Sequence, residues 1–309
     1  MGVKDVGLVG LGLMGSAITT RQLASGYAVH GFDVLADARD DHVKRGGEPA
    51  ASPAEVATRS RVVVLSLPNG QVSHEACFGP GGVVEGVGED ALVIETSTVR
   101  PDEAEAMAAE LAKHGVRYSD TALSGHSEMV GRGEALGMIG GAEGDVDVIR
   151  EVLGPVCREM MHVGAHGDGM RAKIVVNEVL SINRFAVAEG LILAEKMGMG
   201  LDRMLAVLQA SAAYSKAMDM WGQRMVDHRY TDPASRVNSH DKDAQLTLQI
   251  GRQHGAPQLL TSQINQVVQM AIANGMSEAD NSCVMEVLRS LAGIGTGPPD
   301  MGESGASSS

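Results

Sequence analysis

The sequence predicts an α/β domain with a mostly parallel sheet, followed by an all-helical domain that a long helix joins to it. Three observations predict this. Short apolar runs alternate with helical patterns through the first half of the chain. A glycine-rich turn, "GLGLMG" at 10–15, separates the first of those runs from the first helix. From Gly169 to Met197 there is no proline and one interior glycine, Gly190, with apolar residues at helical spacing. Such a helix would be roughly 40 Å long at about 1.5 Å per residue.

Each element has its own warrant. "VGLVG" (6–10), "YAVHGFD" (27–33), "RVVVLSLP" (61–68), "ALVIETS" (91–97) and "VRYSDTAL" (116–123) are short runs rich in β-branched residues, and they read as strands. "PDEAEAMAAELAKHG" (101–115) reads as a helix, with acids in its first turn and a glycine to end it. At "SPAEV" (52–56) Ser52 is placed to cap a helix whose first residue is Pro53. Strands and helices in this alternation make a parallel sheet covered on both faces. Beyond residue 165 the patterns are helical only: "LDRMLAVLQAS", "DKDAQLTLQIGRQHG", "TSQINQVVQMAIANG" and "CVMEVLRSLAG". The expected division is therefore 1–165, 166–296, and a tail, 297–309, with nothing to bury.

Composition narrows the function classes. A net charge of −14 argues against broad contact with nucleic acid or an anionic membrane, both of which need basic surface. No apolar run is long enough to span a bilayer, and a strand pattern begins by Val6 where a signal peptide would lie, so a cytoplasmic protein is expected. The three cysteines and ten histidines show no ligand spacing, and no metal is expected.

Gly10-Leu11-Gly12-Leu13-Met14-Gly15 fits G-x-G-x-x-G. A turn that only packs a helix onto a strand would also use glycines here. Context favours a dinucleotide site: a strand precedes the turn, a helix follows it, and an acid, Asp33, ends the next strand about 20 residues on. Gly10 permits the tight turn, Gly12 admits a pyrophosphate to the backbone, and Gly15 lets the helix approach the sheet. Asp33 would accept hydrogen bonds from the adenosine ribose and repel a 2′-phosphate, and the nearest arginine, Arg39, lies six residues on. NAD is expected in preference to NADP.

Three further segments, "SDTALSGHSEMVGRGEALGMIGG" (119–141), "GDGMRAKIVVN" (167–177) and "HDKDAQL" (240–246), follow the glycine loop in order. With it they resemble the β-hydroxyacid dehydrogenase family over nearly the whole chain, from Val6 to about Leu291. The resemblance implies substrate contact by Ser124 and Gly125, a catalytic Lys173 with Asn177 as its amide partner, and a lysine–aspartate pair, Lys242 and Asp243, near cofactor and substrate. "ETSTVRP" resembles the family's D-x-S-T-x-x-P, which puts Thr98 at the nicotinamide end, and Leu67, Pro68 and Asn69 of "SLPN" would line the cofactor cleft. Four residues apart, Lys173 and Asn177 share a helix face. Lysine can serve as general acid or base once its pKa is brought toward neutrality.

Two departures bear on substrate. The family's Ser-Gly-Gly is Ser-Gly-His here, and His126 either contacts a polar or acidic group or fills space. The first amide of Lys-x-x-Asn-Asn is replaced by Val176. The resulting expectation is an NAD-dependent dehydrogenase interconverting a small 3-hydroxy acid and its semialdehyde, as a homodimer or homotetramer. The alternatives are an imine reductase-like enzyme and a non-catalytic NAD-binding sensor.

Overall fold

A computed structural model describes residues 3–295. The tail read as structureless, 297–309, lies outside those residues, as does residue 296 at the end of the expected helical domain. The chain forms two compact units, one running to Lys173 and the other starting at Ile174.

The first unit is built on one eight-stranded sheet: β1 (Asp5–Val9), β2 (Ala28–Phe32), β3 (Glu48–Pro49), β4 (Val62–Leu65), β5 (Leu92–Glu95), β6 (Arg117–Ser124), β7 (Ala135–Gly141) and β8 (Cys157–Gly164). Their order is β3-β2-β1-β4-β5-β6-β7-β8, and every neighbouring pair is parallel except β6 with β7. The helices of this unit are α1 (Leu13–Ala24), α2 (Ala36–Lys44), α3 (Pro53–Arg59), α4 (Gly70–Phe78), α5 (Val83–Gly86), α6 (Pro101–Lys113), α7 (Ser127–Arg132) and α8 (Val146–Leu153). β4 (VVVL) and β5 (LVIE) are buried along their whole length, which is why they read as unbroken runs and not as alternation. Ile18, Val64, Ile94, Ile139 and Ile149 join one core across sheet and helices. Burying each such side chain contributes roughly 1.5–3 kcal/mol.

Local signals act as the sequence implies. The Ser52 hydroxyl accepts the Glu55 N–H at 3.2 Å, and Pro53 opens α3. Three strands were not read from the sequence. β3 is only two residues long; β7 (ALGMIGG) is glycine-rich and buried, with no alternation to mark it; β8 (CREMMHVG) is an exposed edge.

The long helix is α9 (Asp168–Lys196), 29 residues that start in the first unit and continue in the second. α10 (Leu201–Ala210), α11 (Gln223–Val226), α12 (Val237–Gln253), α13 (Leu259–Ala273) and α14 (Val284–Leu291) complete the second unit. α12 begins four residues before the pattern from Asp241 predicted, because Val237 and His240 of its first turn are also buried. Phe185, Tyr230, Ile264, Val268 and Val284 form one core of this unit, and Leu191, Leu205, Trp221 and Met285 belong to another. No described helix is long and apolar enough to cross a membrane.

Candidate active site

The glycine loop follows β1, the strand at which the chain turns to β2 on one side and to β4 on the other. Crevices at such switch points, outside the carboxyl ends of the strands, hold ligands in open α/β sheets. Gly10 has φ +95°, and a Cβ there would stand 2.2 Å from the Ser66 carbonyl oxygen. A Cβ on Gly15 would stand 1.9 Å from the Gly10 carbonyl oxygen, so helix and turn touch backbone to backbone. At Gly12 a Cβ would meet nothing within 4 Å. That glycine caps α1 without a side-chain hydrogen bond, and the first turn holds no acid. An uncapped helix start facing open space fits a pyrophosphate.

Leu11 is buried while Leu13 is exposed and Met14 half-buried. The Leu11 N–H donates to Asp33 Oδ2 at 2.7 Å, and the Leu35 N–H donates to Oδ1 at 2.9 Å. The acid at the end of β2 thus braces the loop after β1. Arg39 Nη1 donates to the Asp33 carbonyl oxygen at 2.5 Å, and Arg45 Nη1 to Ser16 Oγ at 3.0 Å.

Two more loops leave the adjacent strands β4 and β5 at the same edge. Leu67 N–H donates to Ser97 Oγ at 2.7 Å, and Thr96 Oγ1 donates to the Leu65 carbonyl at 2.6 Å. Pro68 is exposed and Thr98 half-buried. The Asn69 carboxamide oxygen caps α4 by accepting the Val72 N–H at 3.0 Å. Neither Ser97 nor Glu95, whose Oε1 accepts the Ser97 N–H at 2.9 Å, was singled out from the sequence.

At the end of β6 lie Ser124, half-buried, and Gly125 at φ +148°. His126, also half-buried, caps α7. Lys173 Nζ donates to the Leu123 carbonyl at 2.7 Å, so its ammonium is held against the backbone immediately before Ser124 and Gly125. The helix that carries it is anchored by Asp120, fully buried in β6. One carboxylate oxygen accepts the Gly167 N–H at 2.8 Å and the other the Met170 N–H at 3.0 Å. Asp120 was missed in the sequence, although an acid inside the apolar strand "VRYSDTAL" is a readable signal for a buried, paired carboxyl.

In the second unit Asn177 Nδ2 donates to Asp243 Oδ2 at 2.9 Å, and Lys242 stands exposed on α12. Beside the amide–carboxylate pair, Ser181 Oγ meets His240 Nε2 at 3.2 Å. Burial, reinforced by the Arg184 charge, holds the His240 imidazole well below its usual range, so it is neutral. These four residues, with Thr247 and Thr261, line a cavity of about 10 Å³, room for about one water. The structure therefore gathers Lys173 with Ser124–His126 in one unit, and Asn177 with Asp243 in the other. Among the described residues no cluster of histidine, cysteine or carboxylate side chains is arranged to hold a metal ion.

Fold and loop chemistry together define an NAD(P)-binding oxidoreductase with a helical second domain. Residues 5–164 match the NAD binding domain of 6-phosphogluconate dehydrogenase, and residues 167–288 match the family described as NAD-binding of NADP-dependent 3-hydroxyisobutyrate dehydrogenase. The 2-(hydroxymethyl)glutarate dehydrogenase of Eubacterium barkeri is 28% identical over 289 residues, covering 94% of this chain and 96% of that protein. The 3-sulfolactaldehyde reductase of Escherichia coli is 29% identical over 291 residues, covering 94% and 97%. The crystal structure of a 3-hydroxyisobutyrate dehydrogenase from Salmonella typhimurium superposes with a TM-score of 0.83 at 27% identity, covering 92% of this chain and 99% of that one. The chain belongs to the β-hydroxyacid dehydrogenase family.

Proposed function

We propose that this protein is an NAD-dependent dehydrogenase that interconverts the primary alcohol of a small 3-hydroxy acid and its semialdehyde, with Lys173 as general acid and base. The observation that carries the reading is the hydrogen bond from Lys173 Nζ to the Leu123 carbonyl, 2.7 Å long, beside the Ser124–Gly125 turn. One ammonium hydrogen is committed to that carbonyl, which fixes the direction of the others. In oxidation the neutral amine takes the proton of the substrate hydroxyl, and in reduction the ammonium returns it. Asn177, its amide held by Asp243, orients the substrate. The Ser124 hydroxyl and the Gly125 backbone hold its carboxylate.

Gly10, Leu11, Gly12, Leu13, Met14 and Gly15 would hold the pyrophosphate, and Asp33 the adenosine ribose. Leu67, Pro68, Asn69, Thr98 and Lys242 would hold the nicotinamide end. The bound nicotinamide supplies or accepts the hydride. The NAD preference is supported by the Asp33 carboxylate at the end of β2, whose two oxygens accept backbone N–H groups from Leu11 and Leu35 and keep lone pairs for ribose hydroxyls. Arg39 and Arg45 also lie near Asp33 and Ser16, hydrogen-bonded to the Asp33 carbonyl and the Ser16 hydroxyl, so both cofactors belong in the assay.

One relative is named for a compound with a second acid group, a substituted glutarate. We infer that His126 meets such a group, which a glycine could not do. A homo-oligomer is supported by the apolar residues that the second unit leaves exposed, among them Val175, Val179, Leu193 and Leu259. The test is a turnover screen with NAD and NADP across 3-hydroxyisobutyrate, glycerate, threonate, 4-hydroxybutyrate, serine, 3-hydroxypropionate and 2-(hydroxymethyl)glutarate. Turnover that Lys173→Ala abolishes while NADH still binds supports the mechanism, and full activity in that variant overturns it. NADH binding with silence across the panel would favour a sensor.

A further inference from the structure

Two buried acids lie side by side in the first unit, and the hydride chemistry uses neither. Glu95 ends β5 and stands in register with Asp120 on β6, so both side chains leave the sheet on the same face. Both residues are fully buried. Asp120 accepts two backbone N–H groups, from Gly167 and Met170 at the start of α9. Glu95 accepts one, from Ser97; its Oε2 makes no close hydrogen bond among the described residues, although the Ser73 and Ser97 hydroxyls stand near enough to favour its charge. Ser97 in turn accepts the Leu67 N–H on its hydroxyl. One acid therefore lies under the paired loops after β4 and β5, and the other under the turn that begins the helix of Lys173. Glu95 is also one methylene longer than the aspartate of the pattern that "ETSTVRP" resembles.

Two neighbouring carboxyls removed from water do not both ionise. With two backbone donors, Asp120 is the better seat for the charge; with one backbone donor, and only hydroxyls near its other oxygen, Glu95 is the better seat for the proton. We propose that Glu95 and Asp120 share one proton and act as a positioning pair, Glu95 setting the Ser97–Leu67 loops for the nicotinamide end of the cofactor and Asp120 setting the start of the helix that carries Lys173. The proposal rests on reading those loops as cofactor-binding.

Burial pushes the Glu95 carboxyl up to about 7 against the Ser73 and Ser97 hydrogen bonds, which favour its charge, and the Asp120 charge adds a smaller rise. The other groups facing the pair supply little counter-charge. Ser73 and Cys77 approach from α4 and Tyr118 from β6, and burial raises the thiol and the phenol further above neutrality. The carboxylates of Glu103 and Glu110 on α6 add negative potential at Tyr118 and Cys77. Burial raises the Asp120 carboxyl as well, and its two backbone donors and His166, before α9, favour its charge. Above neutral pH the proton is lost, two charges oppose each other across the strands, and both loops and helix start loosen together.

The experiment is a fluorescence titration of NADH, with NADPH in parallel, into the full-length protein from pH 6 to 9, with kcat measured over the same range. The Kd of the native protein is expected to rise above pH 7, by up to about 30-fold at pH 8.5, where about 3% of Glu95 keeps its proton. Glu95→Gln should hold its pH 6 affinity throughout, while Glu95→Asp, still ionisable, should keep a slope. Asp120→Asn should move the midpoint to lower pH, which a purely structural aspartate would not do. A flat native profile, or a native slope in Glu95→Gln, overturns the proposal. Should Glu95→Gln not fold, a carboxyl NMR titration of the native protein decides, and a Glu95 midpoint below 6 overturns it. Failure of both cofactors to bind at any pH overturns the cofactor reading, and this proposal with it.

Discussion

At the scale of single residues, the proposed chemistry depends on how Lys173 and Asn177 are held. Lys173→Met should lower kcat/KM by about 10²–10⁴-fold, the usual worth of a positioned acid or base, and leave NADH affinity within a few-fold in a direct titration. The Asn177 amide and the Asp243 carboxylate meet at 2.9 Å, and a double-mutant cycle on kcat/KM should give a coupling of about 0.5–3 kcal/mol. Strict additivity would mean that the two act separately. Lys173, Asn177 and the Ser124 turn could be proposed as site residues from the sequence because each lies in a short segment with a recognisable pattern. Asp120 and Glu95 could not. The donors of Asp120 are contributed by Gly167 and Met170, far along the chain, and no local pattern signals such a pairing. The reach of Asp33 back to the Leu11 N–H was half legible: its place after β2 could be read, its grip on the loop could not.

At the scale of elements, glycines and caps decide the geometry. Gly15→Ala would drive a methyl to 1.9 Å from the Gly10 carbonyl oxygen, so α1 must move off the turn. NADH binding should be lost and the thermal midpoint lowered; unchanged affinity would show that the loop is not the cofactor cradle. Ser52→Ala should cost about 1 kcal/mol by urea unfolding, the worth of a helix cap. Elements with punctuation were readable: Ser52–Pro53 opening α3, the acids opening α6, and the long unbroken run of α9. Those without it were not. β7 carries three glycines in seven residues and is buried, so neither alternation nor β-propensity marks it, and its reversal against β6 is set by the short turn through α7. β8 is an exposed edge whose side chains settle against few neighbours.

For the whole molecule, stability should follow pH through Glu95. Its folded carboxyl sits at about 7, above the ordinary value of 4.5. A raised carboxyl favours folding fully below 4.5 and loses that favour as pH rises through 7. At about 1.36 kcal/mol per unit, the difference amounts to about 3 kcal/mol. Glu95→Gln should therefore be about that much more stable than the native protein at pH 8, and the gain should vanish toward pH 4.5; equal stability of the two proteins at pH 8 would mean that the buried acid carries no penalty. Sequence patterning was enough to recognise a sheet domain followed by a helical one, because periodicity changes abruptly near residue 165.

The helix α9 has a consequence for how such a protein can be taken apart. It is common property: its first turns complete the sheet unit and its remainder builds the helical one. A joint placed in the loop at residue 165 would carry Gly167 and Met170 away and leave the Asp120 carboxyl buried with neither donor. Chimeras between relatives must therefore exchange the sheet together with the opening turns of the helix. The crossover falls inside a rod, where no loop exists to absorb an imperfect splice. For breeding new specificities, the inheritable piece of this molecule is larger than the cofactor domain and does not end at a turn.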